Sequence, residues 1–235
     1  MLKKIKYSPA VILLLLPGLL FAATPEESLK ANFPDLQIES VSKTPVEGVY
    51  EVVSGGRVIY YAPAAEFLIL GEMITKTGQN LTQAKEMEII SAKMKQVPLD
   101  KAIRIGDGKN VIVEFTDVDC QYCRTASSFL KDVGNLSRYI FFVSLSGNPR
   151  TEAKTKYIFC AEDKKKAYEE AMAGQLDDMK FKQCESKEAA ALFDVHKQLG
   201  QKVGVPGTPC FLVNGKAVMG ANLPEISKLL EAGPK

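Results

Sequence analysis

Two cysteines stand three positions apart in the stretch FTDVDCQYCRTASSFL, residues 115–130. Cys120 and Cys123 follow an apolar, β-rich run and open a segment with helical character. Such a pair can hold a metal, staple a fold or exchange electrons. A structural zinc site needs four ligands, usually from two ligand pairs. This chain has one C-x-x-C, a single histidine (His196) and three scattered cysteines, Cys160, Cys184 and Cys210. With no second ligand pair in the sequence, no metal is expected. A purely stapling role fits the strand-then-helix context poorly. A thiol at a helix N-terminus meets unpaired backbone N–H groups and the positive end of the dipole, which favours the reactive thiolate. Cys120 is therefore read as the exposed nucleophile. Cys123, one turn in, is placed to attack a mixed disulfide formed at Cys120. Gln121 and Tyr122, between them, are expected to meet the substrate and tune the reduction potential. C-x-x-C beside a strand–helix unit reads as a thioredoxin-type redox motif.

The elements around the motif support this. KAIRIGDGKNVIVEFTD is a strand, a Gly-rich turn and a buried-type strand. A helix is predicted from Cys120 to about Val133, then a strand over RYIFFVSL, then helices around 151–173 and 187–199. CFLVNGKAV is a hairpin turning at Asn214-Gly215, and LPEISKLLEA a terminal helix. A strand–helix–strand start with a hairpin–helix end gives an α/β layer fold. In GVPGTPCFLVNG, residues 204–215, Thr208-Pro209 stands just before the hairpin. The thioredoxin fold carries a cis-proline at this spot, and a cis bond there would present the backbone of Thr208 to an extended substrate.

Residues 25–75 read as a separate, small β-rich unit with one leading helix. VYEVVSGGRVIYYAP is a hairpin turning at Ser54-Gly55-Gly56, and EFLILGEMITK supplies one or two more strands. About 50 residues make a thin core, so this unit wants a partner surface. Between the units, Leu81, Ala84, Met87, Ile90, Met94 and Val97 recur near helical spacing, with Asn80 or Thr82 as cap and Pro98 as stop. A helix over about 82–96 is expected to be a semi-rigid linker, the alternative being an ordinary core helix of one domain.

The chain begins with Lys3, Lys4 and Lys6, an apolar core from Ala10 to Leu20, and small residues at Ala22 and Ala23. That order fits a secretory signal peptide over 1–23. Its removal takes away three of the 30 basic residues, leaving 27 against 28 acidic ones. No basic stripe remains to suggest nucleic acid. Export implies an oxidising compartment, where disulfides persist. Five cysteines leave at least one unpaired or paired between molecules.

Taken in order, PVEGVYEVV, VIYY and LILGEMI, then VEFTDVDCQYC, then FCAEDKKKAYEEAMAGQ, then GVPGTP resemble the DsbC/DsbG family of bacterial periplasmic disulfide isomerases. The resemblance covers nearly the whole chain after the leader. It implies an α+β small domain of cystatin-like, dimerising type at 24–78, a linker helix at 79–98 and a thioredoxin-like catalytic domain with inserted helices at 99–235. It implies a V-shaped homodimer with a shared, largely uncharged cleft. It implies that Cys160 and Cys184 form a structural disulfide; they enclose about 25 residues, worth on the order of 3 kcal/mol in the chain-entropy model. Misfolded or misoxidised secreted proteins are the implied clients, a DsbD-type membrane reductase the implied electron source, the periplasm the implied location, and no metal or organic cofactor is needed. The alternatives are a DsbG-like reductase of sulfenylated single cysteines and a dimeric holdase. Gln121 matches neither the Gly nor the Pro usual at that place in the two subtypes.

Two residues depart from the expected pattern. Glu114, in the strand VIVEF, is odd for a buried position, where DsbC-like members commonly carry an apolar residue; it is read as a possible proton acceptor for Cys123. Cys210 follows Pro209 and is read as a small core residue. His196 is expected at the surface, and Lys164–Lys166 on a solvated helix face.

Overall fold

The computed structural model describes residues 23–145 and 147–234; the expected leader lies outside them save for Ala23. The first unit opens with helix α1 (Pro25–Asn32). Thr24 starts it with a capping box, its hydroxyl accepting from the Glu27 N–H while the Glu27 carboxylate accepts from the Thr24 N–H. Strands β1 (Ile38–Lys43), β2 (Tyr50–Ser54), β3 (Arg57–Ala62) and β4 (Phe67–Ile69) follow as an antiparallel meander in the order β1-β2-β3-β4. Gly55 and Gly56 both take positive φ, as a two-residue hairpin turn requires. Leu29, Val52 and Tyr61 form a small buried core, and the Tyr61 hydroxyl is bonded to Ser28 and Asn32 of α1.

Helix α2 (Leu81–Met94) is capped by Asn80, as expected. It is no free-standing linker. Its first half bonds the small unit: the hydroxyls of Thr82 and Tyr60 meet, and Glu86 accepts from the Val58 N–H. Its second half is core of the other unit, where Ile90, Met94 and Val97 pack with Val113, Phe115, Phe141 and Leu212.

The second unit is a five-stranded sheet of β5 (Ile103–Ile105), β6 (Asn110–Thr116), β7 (Leu136–Phe142), β8 (Cys210–Val213) and β9 (Lys216–Met219). Its order is β5-β7-β6-β8-β9, with β6 and β7 parallel and every other pair antiparallel. Helix α3 (Gln121–Lys131) connects the two parallel strands. Helices α4 (Pro149–Cys160), α5 (Lys164–Met172) and α6 (Lys187–Val203) come between β7 and β8, and α7 (Leu223–Ala232) closes the chain. Central strand β6 is sandwiched, so its side chains alternate between two apolar layers rather than between core and water. Val113 and Phe115 face α2 and α6; Ile112 packs with Ala126, Leu130, Ile226 and Leu230 of α3 and α7.

Two expectations are corrected here. The helix expected over 151–173 is two helices, because the chain leaves the helical conformation at Ala161 and Asp163 caps a new start, its carboxylate accepting from the Lys166 N–H. His196 is not at the surface. It is 0% exposed, its ring among Phe141, Phe142 and Phe159. Its Nδ1 accepts from the Phe142 N–H at 3.0 Å and its Nε2 lies 2.7 Å from the Lys101 carbonyl, so a neutral imidazole satisfies both. Lys164–Lys166 are exposed, as expected.

Candidate active site

Strand β6 ends at Thr116, the chain turns through Asp117–Asp119, and α3 begins with Cys120 as its N-cap residue. Cys120 thus stands at the N-terminus of α3, where the sequence placed it, with no side-chain cap bond from its sulfur to the first turn. Cys120 is half-buried, and its Sγ lies 3.4 Å from the carbonyl oxygen of Thr208. The Thr208–Pro209 bond is cis. Two segments 88 residues apart thus meet at one sulfur. Gln121 and Tyr122 stand exposed beside it, Tyr122 at 69%.

Cys123 is different in kind. It is buried, and its Sγ accepts from the Asp117 N–H at 3.4 Å. Burial pushes its thiol up to about 12; contacts from Thr116 and the Asp117 N–H pull the other way without overcoming it. One accessible thiol and one inaccessible, poorly ionised thiol thus stand on the same helical turn.

Glu114 is buried as the sequence suggested, but its partners are specific. Arg138 Nη2 reaches its two carboxylate oxygens at 2.9 and 3.1 Å, and the Tyr168 hydroxyl donates to it at 3.1 Å. Glu114 is 1% and Arg138 5% exposed. Burial alone would lower the Arg138 pKa, but Glu114 and Tyr168 raise it on balance. The Glu114 carboxylate is thus engaged by an ion pair to Arg138 and by the Tyr168 hydroxyl.

Cys160 and Cys184 are joined by a disulfide with Cα atoms 6.3 Å apart. Cys210 is a buried thiol 3.9 Å from the Met94 sulfur, and burial pushes it up to about 12. It is a core residue.

The sequence reading missed a polar cluster around the turn. Asp119 lies 2.5 Å from Lys154 Nζ, and its other oxygen accepts from the Thr151 hydroxyl at 2.9 Å. Asp177 accepts from Lys154 at 2.6 Å and from both terminal nitrogens of Arg124 at 2.8 and 2.7 Å. These bonds hold the Asp177 carboxyl well below the usual range, the Arg124 bond foremost. A signal was present: Thr151, Lys154, Thr155 and Ile158 share the buried stripe of α4, and a lysine on such a stripe asks for a counter-charge.

A parallel strand–helix–strand, two hairpin strands, and a C-x-x-C at a helix N-terminus opposite a cis-proline define a thioredoxin-fold dithiol–disulfide oxidoreductase. Residues 98–233 match the thioredoxin-like domain family, and residues 21–83 match the disulfide bond isomerase protein N-terminal domain. The chain is 31% identical over 212 residues to the thiol:disulfide interchange protein DsbC of Salmonella typhimurium, spanning 86% of this chain and 85% of that one. It is 29% identical over 221 residues to DsbC of Escherichia coli K12, spanning 88% of each. It belongs to the DsbC family. The crystal structure of Proteus mirabilis ScsC in a transitional conformation shares the fold, with a TM-score of 0.50 and 19% identity over 62% of this chain and 79% of that one.

Proposed function

We propose that the protein is an exported thiol–disulfide isomerase and reductase working in the periplasm, with Cys120 as nucleophile and Cys123 as resolving thiol. The observation that carries this is the pairing of a half-buried Cys120 sulfur against the Thr208 carbonyl with a buried Cys123 directly behind it. The Cys120 thiolate attacks one sulfur of a client disulfide. The client S–S bond breaks, a mixed disulfide forms, and the other client sulfur leaves as thiolate. A second client thiolate then attacks the mixed disulfide and frees Cys120, which rearranges the client without net electron transfer. Alternatively Cys123 attacks the Cys120 sulfur, releasing the client reduced and leaving Cys120–Cys123 oxidised. The Thr208 backbone beside Pro209 aligns an extended client segment, and Gln121 and Tyr122 form the rim it crosses.

The oxidised pair must be returned to the dithiol, for which a membrane reductase of the DsbD type is the expected donor. The clients are misfolded or misoxidised secreted proteins. The small unit acts as a cystatin-like dimerisation domain. Phe67, Ile69, Leu70 and Ile74, exposed on and beside edge strand β4, support a second copy docking there. The Cys160–Cys184 bond is structural, and the leader at 1–23 directs export. Reactivation of scrambled ribonuclease by the reduced protein, beside Cys120→Ser, tests the reading. Reactivation that vanishes with Cys120 is expected; equal reactivation by the variant would refute it.

A further inference from the structure

The residue before the nucleophile is an aspartate, and this needs a physical account. A carboxylate at Asp119 competes with a thiolate at Cys120 for the same positive helix end and repels it. What lies against Asp119 answers the difficulty. Lys154 from α4 is 0% exposed, with its ammonium 2.5 Å from Asp119 and 2.6 Å from Asp177. Arg124 adds a second cation, 3.6 Å from Asp119 and 2.7 Å from Asp177, and its Nε donates to the Val118 carbonyl at 2.9 Å. The turn is also tied through Asp117, whose carboxylate meets the Asp119 N–H at 2.8 Å and the Thr151 hydroxyl at 3.1 Å. Burial raises the Asp117 pKa. Arg150 donates to the Asp177 backbone carbonyl.

We propose that Lys154 is a positioning residue for the thiol chemistry: it cancels the charge of Asp119 and ties the 117–120 turn to α4, and so sets the reactivity of Cys120. Asp177 fixes the ammonium from the far side. It sits inside the loop closed by Cys160 and Cys184, and α4 itself ends at Cys160, so that disulfide anchors both ends of the clamp. The inference rests on the assignment of Cys120 as nucleophile.

Two substitutions break the same ion pair yet must act in opposite directions. Lys154→Met leaves Asp119 with only the more distant Arg124, at 3.6 Å, and so less compensated next to Cys120 in the chain. Asp119→Asn removes the repelling charge, while Lys154 keeps Asp177. The experiment measures iodoacetamide alkylation of Cys120 and the equilibrium of the Cys120–Cys123 pair with glutathione, on the full mature protein. Lys154→Met should slow alkylation about fivefold and shift the equilibrium about fivefold toward the disulfide, the size of a full charge at a partly buried helix terminus. Asp119→Asn should accelerate alkylation about threefold and shift the equilibrium toward the dithiol, by the same reasoning. Lys154→Arg, which keeps the charge, should stay near wild type; with Asp119→Asn it carries the test if Lys154→Met does not fold. Shifts of the same sign in Lys154→Met and Asp119→Asn would mean a merely structural contact and overturn the proposal, as would no shift in Asp119→Asn. A wild-type protein without thiol–disulfide exchange would instead bring down the assignment of Cys120 and the clamp with it.

Discussion

Acid should loosen the catalytic unit through His196, and the size of the effect follows from where the ring sits. Its Nδ1 accepts from the Phe142 N–H and its Nε2–H donates to the Lys101 carbonyl. Protonation would set an Nδ1–H against the Phe142 N–H, inside three aromatic rings. Burial lowers the His196 pKa from 6.5 to about 4, the Lys101 bond opposing it. The unfolded chain therefore binds the proton near pH 6.5 and the folded chain only near pH 4. Between those values the unfolded state holds more protons, so stability is full above pH 6.5 and falls as the pH drops towards 4. At 1.36 kcal/mol per pH unit the loss is about 2 kcal/mol by pH 5 and about 3 kcal/mol by pH 4. Phe142 ends β7, and the next residue, Val143, bonds the Thr116 carbonyl at 2.9 Å, so the loosened end adjoins the active-site turn. Urea unfolding at pH 7.5, 6 and 5 checks this on wild type and His196→Gln. The variant is less stable at pH 7.5 but lacks the histidine's pH dependence, so the gap should narrow by about 2 kcal/mol at pH 5. A constant gap would refute the reasoning.

Two further predictions concern the buried groups near the dithiol. Glu114→Gln leaves Arg138 without its counter-charge in the core, which should lower stability by about 3 kcal/mol in urea unfolding. Because the carboxylate is occupied by Arg138 and Tyr168, client release from the mixed disulfide, followed by stopped flow, should keep its rate; a tenfold loss would instead make Glu114 the proton acceptor of Cys123. In Cys120→Ser, iodoacetamide at pH 8 should modify Cys123 far more slowly than an exposed thiol, since burial, the largest cause of its raised pKa, remains when Cys120 is removed. Alkylation at the rate of an exposed thiol would show the buried setting to be wrong.

The C-x-x-C, its strand–helix context and the Thr-Pro before a hairpin were legible because they are local patterns. So were the Asn80 cap and the Gly-Gly turn. What failed to show was tertiary. The break between α4 and α5 rests on one aspartate cap inside a run of helix formers. His196 looked like a surface residue because the groups that satisfy it, Phe142 and Lys101, are 54 and 95 residues away. Glu114 stood out in its apolar strand, but its partner Arg138 did not, because only the β6–β7 pairing brings the two together. The Lys154 cluster joins residues from α3, α4 and the loop after α5, and no spacing rule brings those together.

The asymmetry of the two thiols also bears on the division between isomerisation and reduction. After Cys120 has captured a client, two thiols compete for the mixed disulfide, one from the client and one from Cys123. Exchange needs the thiolate, and the raised pKa of Cys123 leaves little of it ionised at pH 7. Burial, the largest cause, persists while the client is bound. Slow escape through Cys123 gives the client thiols time to rearrange. Thr116 moderates this, because its hydroxyl contact favours the Cys123 thiolate. Thr116→Val keeps the shape and removes that contact, so the Cys123 pKa should rise and escape should slow severalfold, as expected for a lost hydrogen bond to a charged group of about 1.5 kcal/mol or less in a partly compensated site. The ratio of ribonuclease reactivation to glutathione-coupled insulin reduction should then increase. A ratio that falls, or stays fixed while both rates drop, would mean that the rate of escape is not governed by ionisation of Cys123.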